Sequence, residues 1–257
     1  MPAVAAMLDS RSAMAALRRT LPRTGARVVA CRTAAALDRA IAQRLVDAIV
    51  LAPSAAVALV VASLRGRVPQ IPIVAYAPFR PDDGELLVSC RRQQVTAVAV
   101  EGVDDAVVGE IVSRCSLTSA RRRAMADAPR ALRLTEPLQR MTWDYLLSAV
   151  EHPVRTAQLA RHLEVSREYL SRQFGAGGAP NLKRVIDLTR IACAAQLLQN
   201  PGYTSGTVVR LLHFASSSHL ASTARRIAGV TPGALGALGP RGVLAAFVRG
   251  NTRSRVR

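Results

Sequence analysis

Apolar positions follow two rhythms along this chain. In the first half, short unbroken apolar runs alternate with stretches of helical period. Val4–Leu8, Arg27–Cys31, Asp47–Ala52, Ile71–Tyr76 and Ala97–Val100 are the runs. Between and after them, Ser12–Thr20, Thr33–Arg44, Ser54–Leu64, Pro81–Arg92 and Asp104–Cys115 read as helices. In the second of these, Ala36, Leu37, Ala40 and Ile41 share one face. Continuous apolar strands between helices imply a parallel sheet covered on both faces. Five such units give an α/β doubly wound amino-terminal domain.

After about residue 118 the strand-like runs stop and helical spacing takes over. Leu138, Met141, Tyr145 and Ala149 define one side of a leading helix, with Trp143 and Tyr145 as core aromatics. In Thr156–Phe174, apolar or small residues stand at Leu159, Ala160, Leu163, Val165, Leu170 and Phe174. The first three fit one face of a short helix. The last three fit a turn and a second helix. Ala160 is small where two helices must cross closely, and Ser166 is a good N-cap for the second helix. This is a helix-turn-helix pattern, with Ser166–Phe174 as the helix offered to a DNA groove. A second copy follows, with Ser205–Leu212 and Ser216–Ile227 as its helices. Ile186–Leu198 suits a helix joining the two, with Ile186, Ile191, Ala194, Leu197 and Leu198 apolar. The carboxy-terminal domain is therefore expected to be all-α with two helix-turn-helix units.

Several short motifs agree here in order and spacing. They are Leu159-Ala160, Ser166-x-x-x-Leu170-x-x-x-Phe174, Arg190 with Leu197-Leu198, then Phe214, Ser218-His219 and Gly229-Val-Thr-Pro232. Together they resemble the AraC-type DNA-binding domain, over about Leu138–Leu238. The second unit departs from that pattern. Val209 stands where the family has a small residue and His213 where it has Gly. Leu220, Ala224 and Ala228 stand where it has Phe. The first turn carries Glu164 in place of its usual Gly, and a left-handed non-glycine residue costs roughly 1–2 kcal/mol.

The order and size of the first half resemble the receiver domain of bacterial response regulators, a flavodoxin-like fold. The resemblance implies the fold and not the activity. Asp9 stands alone where a receiver has an acid cluster. Ala52 occupies the phosphoacceptor position, Ala77 follows Tyr76 where Thr or Ser is needed, and Glu101 stands in place of Lys. Without the carboxylate nucleophile and the Lys, aspartyl phosphorylation has no chemistry available. The domain reads as a pseudo-receiver.

Charge sharpens the expected partner. The formal net charge is +18 and the pI about 11.5, which favours polyanions and nucleic acid above all. Residues 1–125 carry 17 Arg against 10 acids, and residues 126–257 carry 18 basic residues against 7 acids. After Asp187 there are nine Arg and no acid. Lys183 is the only Lys, a bias that GC-rich coding explains, though it leaves the excess of base unexplained. Cys31, Cys90, Cys115 and Cys193 form no CxxC pair and read as reduced core residues, with a redox sensor as the alternative. Arg11, Arg18 and Arg19 interrupt the early apolar run, so no signal peptide is expected. No apolar run approaches the roughly 20 residues of a membrane span.

On the exposed side of the first reading helix lie Arg167, Glu168, Ser171 and Arg172. Arg can pair with guanine in bidentate fashion and Glu can accept from cytosine. Arg172 suits a phosphate equally well, and an ordinary solvated face is the plain alternative for all four. In the second unit Ser216, Ser217, Ser218 and His219 are candidates for bases or phosphate, and Arg225 and Arg226 for the backbone. Arg190 reads as a tie between helices, and Arg121-Arg122-Arg123 as a solvated helix face or a phosphate contact. No metal or cofactor set is found: His219 has only His213 near it, with no Cys or carboxylate. Gly175-Ala-Gly-Gly178 follows no strand, Gly202–Gly206 lacks a central Ser, and no Walker loop occurs, so no enzyme is expected.

The expected domains are 1–118, pseudo-receiver-like; 119–137, a connector; 138–239, AraC-type and DNA-binding; and 240–257, a basic disordered tail with Arg249, Arg253, Arg255 and Arg257. The whole is read as a cytoplasmic, nucleoid-associated bacterial transcription regulator binding double-stranded promoter DNA. A homodimer through the amino-terminal domain and a contact with RNA polymerase are candidate further partnerships. The rival reading is an interaction or adaptor protein with degraded, largely non-specific DNA binding.

Overall fold

The computed structural model describes residues 2–22, 26–80 and 82–253. The chain divides into two compact units, residues 1–120 with 200–202, and residues 121–199 with 203–257.

The first unit is the expected doubly wound domain. Its elements are β1 (Ala3–Met7), α1 (Arg11–Thr20), β2 (Arg27–Ala30), α2 (Ala34–Gln43), β3 (Val46–Leu51), α3 (Ala55–Arg67), β4 (Ile73–Ala77), α4 (Gly84–Arg92), β5 (Ala97–Val100) and α5 (Val108–Cys115). The five strands form one parallel sheet in the order β2-β1-β3-β4-β5. Every residue of β3 and β4 is buried, whereas the edge strands β2 and β5 are mostly not. Central parallel strands are covered on both faces, so they need apolar residues at every position. Each fully buried Val, Leu or Ile contributes about 1.5–3 kcal/mol. Strand β4 opens at Ile73, two residues later than the apolar run suggests. Pro72 precedes it and has no N–H to donate to a ladder.

Side-chain oxygens start the helices. Ser10, Thr33 and Ser54 accept from the backbone of Ala13, Ala36 and Val57 and so cap α1, α2 and α3. Helices α1 and α5 approach closely at Gly109, where a Cβ would lie 2.3 Å from the Thr20 backbone carbon. Gly109 N–H donates to Thr20 Oγ1 at 2.9 Å, sealing the contact. At the far end of α3, the Arg65 guanidinium donates to the carbonyls of Pro69, Ile71, Gln93 and Gln94. Burial lowers its pKa.

The remaining elements are α6 (Leu117–Ala124), α7 (Ala128–Ala131), α8 (Pro137–Ser148), α9 (Thr156–His162), α10 (Arg167–Phe174), α11 (Leu182–Leu197), α12 (Ser205–Leu211), α13 (Ser217–Ala228) and α14 (Pro232–Arg253). Helix α11 is the spine of the second unit. Nearly all of its residues are buried, and α8, α13 and α14 pack against it. It starts at Leu182, ahead of the expected Ile186, because the Asn181 side chain caps it by accepting from Arg184 N–H at 2.9 Å.

Three expectations are corrected, in the stretch expected as a connector, in the tail and in α8. The connector stretch holds α6 and α7. Within it Arg121 is no solvated face: it is 1% exposed and donates to Leu147 O, Gln196 Oε1 and Cys193 Sγ. The tail is helical through Arg253, while 254–257 lie outside the described residues. Helix α14 kinks at Gly239, whose φ is 59°, and resumes from Pro240. Proline is tolerated where a helix begins, because its missing N–H has no intrahelical partner there. Val243, Leu244 and Phe247 are buried, and Arg184 lies 5.0 Å over the Phe247 ring. Their helical spacing outweighs the neighbouring arginines. In α8 the buried face is Gln139, Thr142, Trp143, Leu146 and Leu147, whereas Met141 is exposed and Tyr145 is only half-buried. Polar Gln139 and Thr142 find partners inside, so the apolar stripe misidentified the inner face.

Candidate nucleic-acid interface

The two helix-turn-helix units are built alike. In the first, α9 and α10 meet at a turn in which Glu164 has φ 55°. Val165 N–H reaches back to Ala160 O at 3.0 Å. In the second, α12 and α13 meet at a turn in which His213 has φ 50°, and Phe214 N–H reaches Val209 O at 2.9 Å. Ser166 Oγ accepts from Tyr169 N–H, and Ser216 Oγ from His219 N–H, at 3.1 and 3.0 Å. These caps satisfy amides that would otherwise lack partners at the start of each reading helix. Leu170 and Phe174 anchor α10, and Leu220 and Ala224 anchor α13, all at 0% exposure. Ala215 makes the second turn one residue longer than the first.

The outward faces differ in chemistry. On α10, Arg167, Glu168, Ser171 and Arg172 are all exposed, as expected. Arg167 Nε lies 3.7 Å from Glu168 Oε1, with both side chains largely in solvent. Such a pair is weak and leaves Arg167 available. Tyr169 is 43% exposed on the same helix, an aromatic that the apolar reading passed over. On α13 the corresponding first turn offers Ser217, Ser218 and His219, exposed and without an arginine or a carboxylate among them. His219 Nδ1 accepts from Ala215 N–H at 3.4 Å, and its ring meets Phe214 edge-on at 5.5 Å. Ser216 is committed to the cap.

Helix α13 continues a turn further than α10, and there its two arginines separate. Arg225 is exposed. Arg226 donates to Asp187 Oδ2 on α11 at 2.8 Å, so part of its charge is already matched. Arg190, also on α11, is buried and donates to Leu212 O at 2.8 Å, with its guanidinium 4.0 Å over the Phe214 ring. Burial lowers its pKa, against the opposing field of Asp187. It ties the connecting helix to the second turn, as expected from the sequence. Gln139 is a support with no signal in the apolar pattern. Its Oε1 accepts from Glu136 N–H, and its Nε2 donates to Phe174 O at 2.9 Å, at the end of α10.

The carboxyl edge of the sheet in the first unit is the other place where chemistry is expected. A hollow of about 420 Å³ there is lined by Asp9, Ser10, Ala52, Tyr76, Ala77 and Glu101, among others. Ala52 follows β3 where a receiver would hold its acceptor carboxylate. Glu101 accepts from the hydroxyls of Ser10 and Ser12. Tyr76 donates to Asp105 Oδ1 at 2.5 Å. Burial and that bond push the phenol far above its ordinary range, and the bond holds the Asp105 carboxyl below its own.

Comparison with known proteins bears on the second unit. Residues 159–237 match the family model described as a helix-turn-helix domain, and these residues form such a domain, of the AraC type. No curated protein sequence matches the chain. Among solved structures, full-length FixJ from B. japonicum shares 14% identity, over 88% of this chain and 96% of that one, at a TM-score of 0.38. A likeness of that size carries no weight for the arrangement of the chain. No helix among the described residues is long and apolar enough to cross a membrane.

Proposed function

We propose that the protein is a sequence-specific transcription regulator. Its helices α10 and α13 would enter successive major-groove segments of double-stranded promoter DNA. The observation that carries this is the pair of capped, outward-facing helices in one helix-turn-helix domain, on a strongly basic chain. Arg167 and Glu168 lie in the first turn of α10, the part that meets base edges in this motif. Arg172 and Arg225 suit phosphates on either side. The receiver-like unit regulates through dimerisation, partner docking or ligand sensing rather than through aspartyl phosphate, since Ala52 offers no nucleophile.

One observation favours a second reading, an adaptor with largely non-specific DNA binding. The first turn of α13 offers no cation, and Arg226 is partly matched by Asp187. Binding to genomic fragments, titrated with salt against competitor DNA, separates the two. A preferred sequence surviving competition supports specific regulation, and equal affinity for all fragments supports the adaptor. Incubation with acetyl phosphate followed by intact-mass measurement tests the regulatory half. A stable phosphoryl adduct on an acid of the first unit would refute it.

A further inference from the structure

The first unit has a second hollow, of about 530 Å³, beside the carboxyl ends of β1 and β2 and the start of α1. Small-molecule sites commonly enclose ~300–1,000 Å³. It opens at the carboxyl end of the sheet, the end at which doubly wound sheets take ligands, one strand away from the reversal of strand order between β1 and β3, where the 420 Å³ hollow lies. Leu8, Asp9 and Ser10 line both this hollow and the 420 Å³ one.

Its chemistry is lopsided. Arg11, Arg18 and Arg32 line it, against Asp9 as the one carboxylate. Arg11 and Arg18 stand about two turns apart on one side of α1, and Met14, between them, lines the same hollow. Arg32 arrives from the loop after β2. None of the three guanidiniums has a hydrogen-bond or ion-pair partner among the described residues. Three other arginines of this unit are engaged, Arg65 by four carbonyls, Arg67 by Asp38 and Arg114 by Glu110, and what sets Arg11, Arg18 and Arg32 apart from the remaining open ones is that all three line one hollow. Cys31 completes the wall between β2 and Arg32. Burial raises its pKa, so it stays a neutral thiol and does not offset the arginines. Three like charges around one hollow repel each other, and an oxyanion among them relieves that repulsion while filling their planar donor forks.

We propose that this hollow binds a small molecule bearing a phosphate or carboxylate group, held by Arg11, Arg18 and Arg32. The proposal stands whether or not the second unit reads DNA, because every residue in it belongs to the first.

The test is calorimetric titration of the full-length protein, without DNA and at fixed ionic strength, with pyrophosphate and separately with citrate. Saturable one-to-one binding of at least one probe is expected, and which of them binds identifies phosphate or carboxylate as the group. Arg18→Ala and Arg32→Ala should each weaken binding about tenfold or more, the loss of a charge-assisted hydrogen bond. Arg225→Ala, in the other unit, should leave it unchanged. Should an alanine variant fail to fold, Arg18→Lys and Arg32→Lys are scored in its place. They keep the charge but lose the fork, and should weaken binding measurably. The proposal is overturned if neither probe saturates. It is also overturned if the hollow's variants bind as the parent does, or if Arg225→Ala abolishes binding.

Discussion

Gln94, Arg133, Glu164 and His213 hold left-handed backbone without being glycine. At three of these turns a guanidinium grips a carbonyl. Arg65 donates to Gln94 O, Arg140 to Leu134 O next to Arg133, and Arg190 to Leu212 O next to His213. Glu164 has no such brace among the described residues. Its turn was legible in advance from the missing glycine, but the braces were not, because they join residues distant in sequence. Glu164→Gly is expected to raise stability by about 1 kcal/mol, the left-handed penalty less the added chain entropy. His213→Gly should gain less, since His213 also stacks on His152 with ring centroids 4.5 Å apart. Urea unfolding of the two variants checks the difference, and an equal gain would discount the stacking. Arg167 is the other residue on which the reading turns. Ser166 caps α10, and Leu170 and Phe174 fix its buried side, leaving Arg167 outward. Arg167→Ala should cost roughly 1–3 kcal/mol at one base position of a preferred site. Affinities on single-base variants read this out. A uniform loss over all variants would make Arg167 a phosphate contact.

Arg225 and Arg226 are neighbours in sequence about 100° apart around α13, so they part ways on the helix. Nothing in the sequence said which would be occupied, because Asp187 approaches from another helix. Arg225→Ala should weaken binding to all DNA alike and reduce the salt-dependence slope by about 0.9, one phosphate contact. Arg226→Ala should instead cost about 1 kcal/mol of stability, leaving nearly buried Asp187 without its partner. Its salt slope should hardly move; a drop as large as that of Arg225→Ala would place Arg226 on the DNA backbone. Helix α10 depends on another element in a similar way. Gln139 on α8 holds its final carbonyls, those of Gln173 and Phe174, so Gln139→Leu should lower DNA affinity through a looser α10 end, with the DNA-facing side chains of α10 all kept. The periods that gave each helix its limits could not reveal this support, since a buried glutamine interrupts an apolar stripe.

At the scale of the molecule, the doubly wound sheet and the paired helix-turn-helix units were legible because each imposes a strict period on apolar positions. Where the second unit begins was not, because the segment ahead of the expected start reads as charged and solvated. Arg121 is the reason. In a run of three arginines it looks like surface, yet it is nearly inaccessible, with Leu147, Cys193 and Gln196 as partners. Met125, one turn on, is also fully buried. The second unit is therefore expected to need α6 as part of its own core. A fragment cut at Asp127 loses both side chains and leaves Gln196 Oε1 and the Leu147 carbonyl without the donor that met them. A fragment beginning at Leu117 keeps them. The longer fragment, 117–257, is expected to fold cooperatively and to bind DNA. The shorter, 127–257, should be weaker by about 4 kcal/mol, from one vacated methionine site and the abandoned hydrogen bonds. Chemical unfolding of both, with DNA binding measured on each, decides the matter. Equal stability would mean that the Arg121 site closes up without cost and that the boundary lies after α6.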